Sequence, residues 1–333
     1  MPNILLTQRC VRTCPYCFAK KHMSASQPDD MLSWENLIYI ADLIENSGGR
    51  NISFLGGEPT LHPRFIDFAM YLIERNFNIM VFTSGIMSEK ILHESIAVFA
   101  NVPKERLSFV CNLNDPKQSP FAETEIVKCF LEQFGHRTCG GFNIYQNDFE
   151  MDFLFQYISR YGLKRTIRLG MAHPIPTAKN KFIDIDEMKN IIDRLFIYAP
   201  TMERLRIKLD FDCGFTMCLL NDTQLGWLYR LTGGGVKFGC GPAIDIGSDM
   251  SVWSCFPMSS FHKRSVYEFD SIHEIRNFYM DIHRKVRMEV AGIFEECDEC
   301  RYREEGSCQG GCLGHMLLRF QDEATVRIPE MYV

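Results

Sequence analysis

The sequence predicts an α/β protein whose strands run parallel, and three observations carry that prediction. Apolar runs of about five residues alternate with stretches of helical period through the first two hundred residues. The intervals between successive runs are long enough for the crossover helix that parallel pairing demands. The chain has 333 residues, 46% hydrophobic and 23% charged, so it can build a large core without covalent staples.

Strands are expected at Asn3–Leu6, Asn51–Leu55, Asn78–Thr83, Leu107–Asn112, Gly141–Tyr145 and Thr166–Gly170. Helices are expected between them, near Ser33–Glu45, Pro63–Arg75, Glu89–Phe99, Ala122–Phe134 and Phe149–Tyr161. Ser33 stands three residues before Asn36 as a helix cap, and SGGR at 47–50 supplies a stop. A helix at Asp184–Tyr198, a strand at Arg204–Asp210 and a helix at Thr223–Leu231 follow. After LTGGG (231–235) the texture changes: Cys, Gly and Pro become dense. Only DMSVWSCF (249–256) then reads as a strand, and only Ser271–Met288 as a helix. The expected division is residues 1–205 and 206–333. Periodicity alone does not separate a partial barrel from an open doubly wound sheet.

The net charge is −6 and the pI about 5.9, which argues against nucleic acid or an anionic membrane as partner. No apolar run reaches the roughly 18 residues of a membrane span. The opening MPNILLTQRC has neither the basic lead nor the apolar length of a signal peptide. A cytoplasmic location is therefore expected.

Fourteen cysteines stand out in such a chain. Disulfide frameworks belong mostly to small secreted domains, so thiolates held for a metal are the better reading. Three lie within eight residues near the N-terminus, and eight lie between Cys213 and Cys312. Cys111, Cys129 and Cys139 stand alone and read as buried small hydrophobes.

The first group is Cys10-Val-Arg-Thr-Cys14-Pro-Tyr-Cys17, directly after the first expected strand. Three thiolates in one loop can take three corners of a cubane and leave one iron open. Parallel α/β folds gather their active sites at the C-terminal strand ends, where this loop falls. The competing reading is a zinc knuckle, for which His22 is the nearest fourth ligand.

CVRTCPYC resembles the C-x₃-C-x-aromatic-C signature of radical S-adenosylmethionine (radical SAM) enzymes, with Tyr16 as the aromatic residue. Gly56-Gly57-Glu58-Pro59, after the second strand, is similar to that family's GGEP motif. The resemblance covers roughly residues 3–200 and implies a partial (β/α)₆ barrel. It implies a catalytic [4Fe–4S] cluster on Cys10, Cys14 and Cys17, with the methionyl amine of S-adenosylmethionine held at Gly56, Gly57, Glu58 and Pro59. It further implies reductive cleavage of that cofactor to a 5′-deoxyadenosyl radical. Asn112 and Asn114 in CNLND sit where the family places ribose contacts, and Arg168 in TIRLG is a candidate for the methionyl carboxylate. Thr83-Ser84-Gly85 closes the third strand at the same height and shapes the pocket.

The second group is Cys240-x₁₄-Cys255, then Cys297-x₂-Cys300-x₇-Cys308-x₃-Cys312. It resembles the SPASM/twitch extension, a small cysteine-rich domain carrying one or two auxiliary [4Fe–4S] clusters. Three features depart from that pattern. The gap before Cys308 is long, Met250 stands where a Gly is usual, and no cysteine follows Cys312. Cys213 and Cys218 in DFDCGFTMC can make up the number. By resemblance, one of those two joins Cys240, Cys255 and Cys312. Cys297, Cys300 and Cys308 are then left with an unidentified fourth ligand. A structural Cys₄ zinc site and plain burial of Cys213 and Cys218 are the competing readings.

Asp210 and Asp212 flank Phe211 as acid–base candidates, and His173 and His315 are candidates for polar contact near substrate or cluster. SPASM-type relatives mostly modify peptides, so the expected function is crosslinking or oxidation of a peptide or protein. The alternative is radical chemistry on a small metabolite or cofactor precursor, and a non-enzymatic iron–sulfur or zinc scaffold is the third class. A first strand beginning at residue 3 leaves no room for an N-terminal peptide-recognition domain, which weighs against the peptide reading. Flavodoxin or ferredoxin is the electron donor the resemblance implies.

Overall fold

The computed structural model describes all residues except 21–22, 24–26, 28, 177, 214 and 323–333, with side chains undescribed at 320–322. His22 lies outside the described residues. Strands β1 (Asn3–Leu5), β2 (Asn51–Leu55), β3 (Asn78–Thr83), β4 (Leu107–Asn112), β5 (Thr138–Ile144), β6 (Thr166–Met171) and β7 (Lys208–Phe211) pair in that order, all parallel. The connecting helices are α1 (Trp34–Asn46), α2 (Phe65–Glu74), α3 (Glu89–Phe99), α4 (Phe121–Phe134), α5 (Asp152–Tyr161), α6 (Met188–Ile197) and α7 (Ala199–Leu205). The parallel sheet ends at β7 without closing on β1, giving the partial barrel that the resemblance implied.

Local chemistry sets the boundaries. Ser33 caps α1 by accepting from the Asn36 amide, and Ser88 caps α3 by accepting from Ile91. Gly162 ends α5 in the left-handed region at φ +63°. Strand β5 begins at Thr138 rather than Gly141, because the backbone of Thr138, Cys139 and Gly140 already joins the ladder with β4. The expected strand at Arg204–Asp210 starts later. Arg204 belongs to α7, whose first turn carries Pro200, and β7 begins after Arg206 turns left-handed at φ +54°.

The second half extends the same sheet. Helix α8 (Asp222–Leu231) carries a capping box between Asn221 and Gln224. Strand β8 (Asp245–Ile246) then pairs parallel to β1 on its free side, followed by antiparallel β9 (Ser251–Trp253) and β10 (Arg264–Ser265). Helices α9 (Ile272–Glu289), α10 (Arg301–Glu304) and α11 (Leu313–Asp322) complete the chain. The sheet therefore crosses the expected 205/206 boundary, and one apolar core runs from Ile4 to Leu317.

Met250 has a left-handed backbone, φ +61°, in the β8–β9 turn. The conformation for which the pattern uses Gly is kept, and burial of the Met side chain offsets strain of roughly 1 kcal/mol. The seven-residue gap before Cys308 holds α10 and a turn at Gly306, φ +71°. Both departures from the resemblance are thus absorbed locally.

Candidate cluster and cofactor site

The loop after β1 lies directly on the turn after β2. The Gly57 amide donates to Thr7 O at 2.9 Å and the Glu58 amide to Arg9 O at 2.7 Å. A Cβ at Gly56, where φ is +150°, would fall 2.2 Å from Thr7 O, and one at Gly57 would fall 2.0 Å from Arg9 O. Only glycine admits that approach. The two sequence motifs are therefore one piece of backbone, with Cys10 immediately beyond the contact.

Cys10, Cys14 and Cys17 stand half-buried in the loop. The Cys17 amide donates to Cys14 O at 3.2 Å and the Arg12 amide to Cys10 Sγ at 3.4 Å. Arg12 pins the loop from below, reaching Asn112 O at 2.9 Å and Glu123 at 3.3 Å. Burial pushes Cys10 up to about 12, against the Arg12 amide and with help from Glu58 and the neighbouring thiols. Burial likewise pushes Cys17 up to about 11. Such thiols stay neutral until cationic metal compensates their charge. Among the described residues, no three His, Cys, Asp or Glu side chains converge tightly enough for a single metal ion. Zinc sulfurs would crowd around one ion at about 2.3 Å, whereas corners of a cubane hold their thiolates further apart. Three half-buried thiols in one loop are the donor set that a cubane with one open iron would take.

Glu58 points into the barrel, 1% exposed. Its carboxylate accepts from Thr60 N and Oγ1, Thr83 Oγ1, and Ser84 N and Oγ, the last at 2.6 Å. Thr83 and Ser84, expected only to shape the pocket, fix this carboxylate. Pro59 opens a short 3₁₀ turn that Glu58 caps.

Tyr16, Asn112 and Asn114 come together as one network. The Tyr16 hydroxyl donates to Asn114 Oδ1 at 3.1 Å and accepts from Asn112 Nδ2 at 3.2 Å; Asn143 Nδ2 donates to Asn112 Oδ1 at 2.9 Å. Tyr16 also stacks on Tyr145, ring centres 4.8 Å apart. A cavity of about 260 Å³ opens beside this network, lined by Arg12, Cys14, Tyr16, Asn114, Asn143 and Tyr145. Asn143 and Tyr145 carried no sequence signal. Arg168 is placed differently. Asn112, Gly141, Arg168 and Asp210 form one row across β4 to β7. Arg168 in that row is already paired with Asp212 and lies over the Phe82 ring at 4.5 Å.

His173 and His315 meet edge to face, ring centres 5.3 Å apart and both buried. Burial holds them neutral, at about 3 and about 4. They join the end of β6 to α11, just past Cys312.

Backbone contacts draw together the segments that carry Cys240, Cys297 and Cys308. Gln309 N donates to Phe238 O at 2.8 Å, and Gln309 Oε1 accepts from Cys240 N at 2.9 Å. Ile293 N donates to Gly310 O at 2.9 Å, holding the segment before Cys297 on the turn after Cys308. Cys213, Cys240 and Cys312 line a small shared cavity. Cys213 is raised well above the ordinary thiol range by burial and then by the charges of Cys312, Cys240 and Cys255. Cys297 is raised by burial and then by Cys218, Cys300 and Cys308.

Residues 4–109 match the radical SAM superfamily model. Among curated proteins, an S-adenosylmethionine-dependent nucleotide dehydratase of Selenomonas ruminantium is 33% identical over 84 residues, 25% of this chain and 29% of that one. Molybdenum cofactor biosynthesis protein 1 of Bos taurus is 31% identical over 92 residues, 27% of this chain and 14% of that one. The matches thus span less than a third of these relatives' own length. Among solved structures, Streptococcus suis SuiB bound to precursor peptide SuiA superposes with a TM-score of 0.61 at 16% identity, over 93% of this chain and 71% of that one. The anSMEcpe structure with bound AdoMet gives 0.61 at 14% identity, over 94% and 86%. This chain shares the fold of both structures.

Proposed function

We propose that this member of the radical SAM superfamily cleaves S-adenosylmethionine reductively and uses the resulting radical to modify a peptide or protein substrate. The observation that carries the cofactor half is the contact of Gly56 and Gly57 with Thr7 and Arg9, which fixes the three-thiol loop over Glu58. When bound, the cluster and S-adenosylmethionine supply the electron and the radical. The residues of the chain do the rest. Cys10, Cys14 and Cys17 would hold the cluster and leave one iron without a protein ligand. Glu58, buried and fixed by Thr60, Thr83 and Ser84, presents negative charge where an ammonium would dock. Tyr16, Asn112, Asn114 and Asn143 offer a stacking face and paired amides suited to an adenosine and its hydroxyls. Arg168 stays with Asp212 at the open edge of the barrel, so a methionyl carboxylate would have to compete for it.

The peptide half rests on the likeness to SuiB, solved with its precursor peptide, across 93% of this chain. One observation favours the small-molecule alternative: the curated sequence relatives include a nucleotide dehydratase and molybdenum cofactor biosynthesis proteins. The electron donor proposed is a flavodoxin or ferredoxin.

The test is anaerobic reconstitution with iron, sulfide and dithionite. The chain should release 5′-deoxyadenosine from S-adenosylmethionine, and Cys14→Ala should release none. Release at the parental rate by Cys14→Ala would overturn the assignment.

A further inference from the structure

We propose that Cys218 is the fourth thiolate of a second auxiliary cluster, with Cys297, Cys300 and Cys308. The segment after β7 then gives one ligand to each of two closed four-thiolate sites. This rests on the cluster reading above. Cys297, Cys300 and Cys308 leave room for one more thiolate, and the structure offers Cys218 on the turn Met217–Leu219.

The backbone brings the segments together. Thr216, buried at 1%, presses on the Cys308–Cys312 turn: a Cβ at Gly311, φ +92°, would fall 3.1 Å from Thr216 Cγ2. Cys213 lies on one side of Thr216 and faces the cavity it shares with Cys240 and Cys312. Cys218 lies on the other side, on the short 3₁₀ turn Met217–Leu219. The Cys297 side is equally tight. A Cβ at Gly292 would fall 2.4 Å from Cys297 Sγ, and one at Gly310 2.7 Å from Gly292 Cα. Residues 215–218, 292–297 and 308–312 therefore pack together.

Contacts sort the thiols. The Cys218 thiol donates to Thr216 Oγ1 at 3.4 Å, Thr216 packs on Gly311, and the neighbouring Gly310 amide donates to Cys308 Sγ at 3.4 Å. Cys213 instead shares its cavity with Cys240 and Cys312. Two foursomes result: Cys213, Cys240, Cys255 and Cys312, and Cys218, Cys297, Cys300 and Cys308. Four thiolates complete a [4Fe–4S] cluster. Neither site keeps an iron open for substrate, so substrate recognition falls to the barrel mouth. There a cavity of about 270 Å³ opens beside β7, lined by Asp210, Asp212, Phe215, Lys237 and Phe238.

Exposure gives a direct test, because Cys218 and Cys129 are both exposed thiols. The iron-loaded chain is treated anaerobically with iodoacetamide and mapped by mass spectrometry, then compared with chain stripped by chelator. Cys129 should label in both, and Cys218 only after stripping. Equal labelling of Cys218 and Cys129 in the loaded chain would overturn the proposal. In parallel, Cys218→Ala should lose roughly four irons, or show a three-iron signal by electron paramagnetic resonance. Cys213→Ala should change a different set of signals. If the parent chain carried only about four irons plus zinc, the cluster reading itself would fail. If the parent were fully loaded and Cys218→Ala matched it in iron and spectrum, only this assignment would fail.

Discussion

Glu58 accepts five hydrogen bonds from Thr60, Thr83 and Ser84, and no cation is among its partners. A buried carboxylate without a counter-ion is costly unless its site is completed by a ligand. Glu58→Gln keeps the volume but turns an amide NH₂ toward donors, one of which is the Ser84 amide and cannot become an acceptor. The expected result is a loss of about 1–3 kcal/mol in stability. S-adenosylmethionine affinity should also fall by roughly tenfold or more, about 1.4 kcal/mol per decade. Iron content at Cys10, Cys14 and Cys17 should not change. Equilibrium dialysis with labelled cofactor checks the affinity, and unchanged binding would remove Glu58 from the site. Cysteines and GGEP were legible in the sequence because their identity is their chemistry. Thr60, Asn143 and Tyr145 were not, since hydroxyl and amide residues carry no diagnostic spacing and arrive here from separate parts of the chain.

Elements were legible where periodicity was unbroken, as at Glu89–Phe99, whose bounds match α3. They were not where two residues suffice to form a strand: β8 and β10 exist only because β1 and β9 offer an edge. The β1–β8 seam contains Asp245, which accepts from Asn3 Nδ2 at 2.6 Å. Burial raises Asp245 to about 7, against the hydrogen bonds of Asn3 and Trp253. The folded chain therefore holds this proton more tightly than the unfolded chain does. The stability it contributes is full below the unfolded value near ~3.9 and is lost as pH rises through about 7. Asp245→Asn, neutral throughout, should remove that loss. Its stability advantage over the parent should grow by about 1.4 kcal/mol for each pH unit between roughly 4 and 7, then level off. Thermal midpoints of both iron-loaded proteins, read anaerobically from pH 5 to 8, measure the difference. A constant difference across that range would show that Asp245 is ionised in the fold.

At the scale of the whole molecule, the two halves are stabilised by different means. The barrel strands run three to seven residues and are backed by helices with buried faces such as Leu37, Ile40, Ala41 and Ile44 of α1. Apolar burial of that extent supports a fold by itself, at about 25 cal/mol per Å² removed from water. Beyond residue 235 the strands have two or three residues. The cysteine-bearing stretches are turns closed on glycines, at Gly306, Gly310 and Gly311. The proposed clusters would take the place of long strand ladders there. Their thiols are raised, chiefly by burial: Cys312 reaches about 12, and Cys213 and Cys255 are also well above the ordinary range. Under the proposed assignment, loading iron would displace their protons and couple metal binding to the folding of this half. Chelating the iron should therefore act unevenly. Amide exchange in 236–312 should speed up by orders of magnitude, except where α9 stays packed through Ile275, Tyr279 and Ile282. Exchange in β2 to β6 should change little, because the cluster loop touches them only at their ends. Hydrogen–deuterium exchange on loaded and stripped chain, both anaerobic, makes the comparison. Uniform loosening of both halves would show the clusters to be structural throughout. No change beyond residue 235 would show that the second half is held by its apolar contacts alone, as Trp253, Tyr279 and Ile293 packed in the common core would then imply.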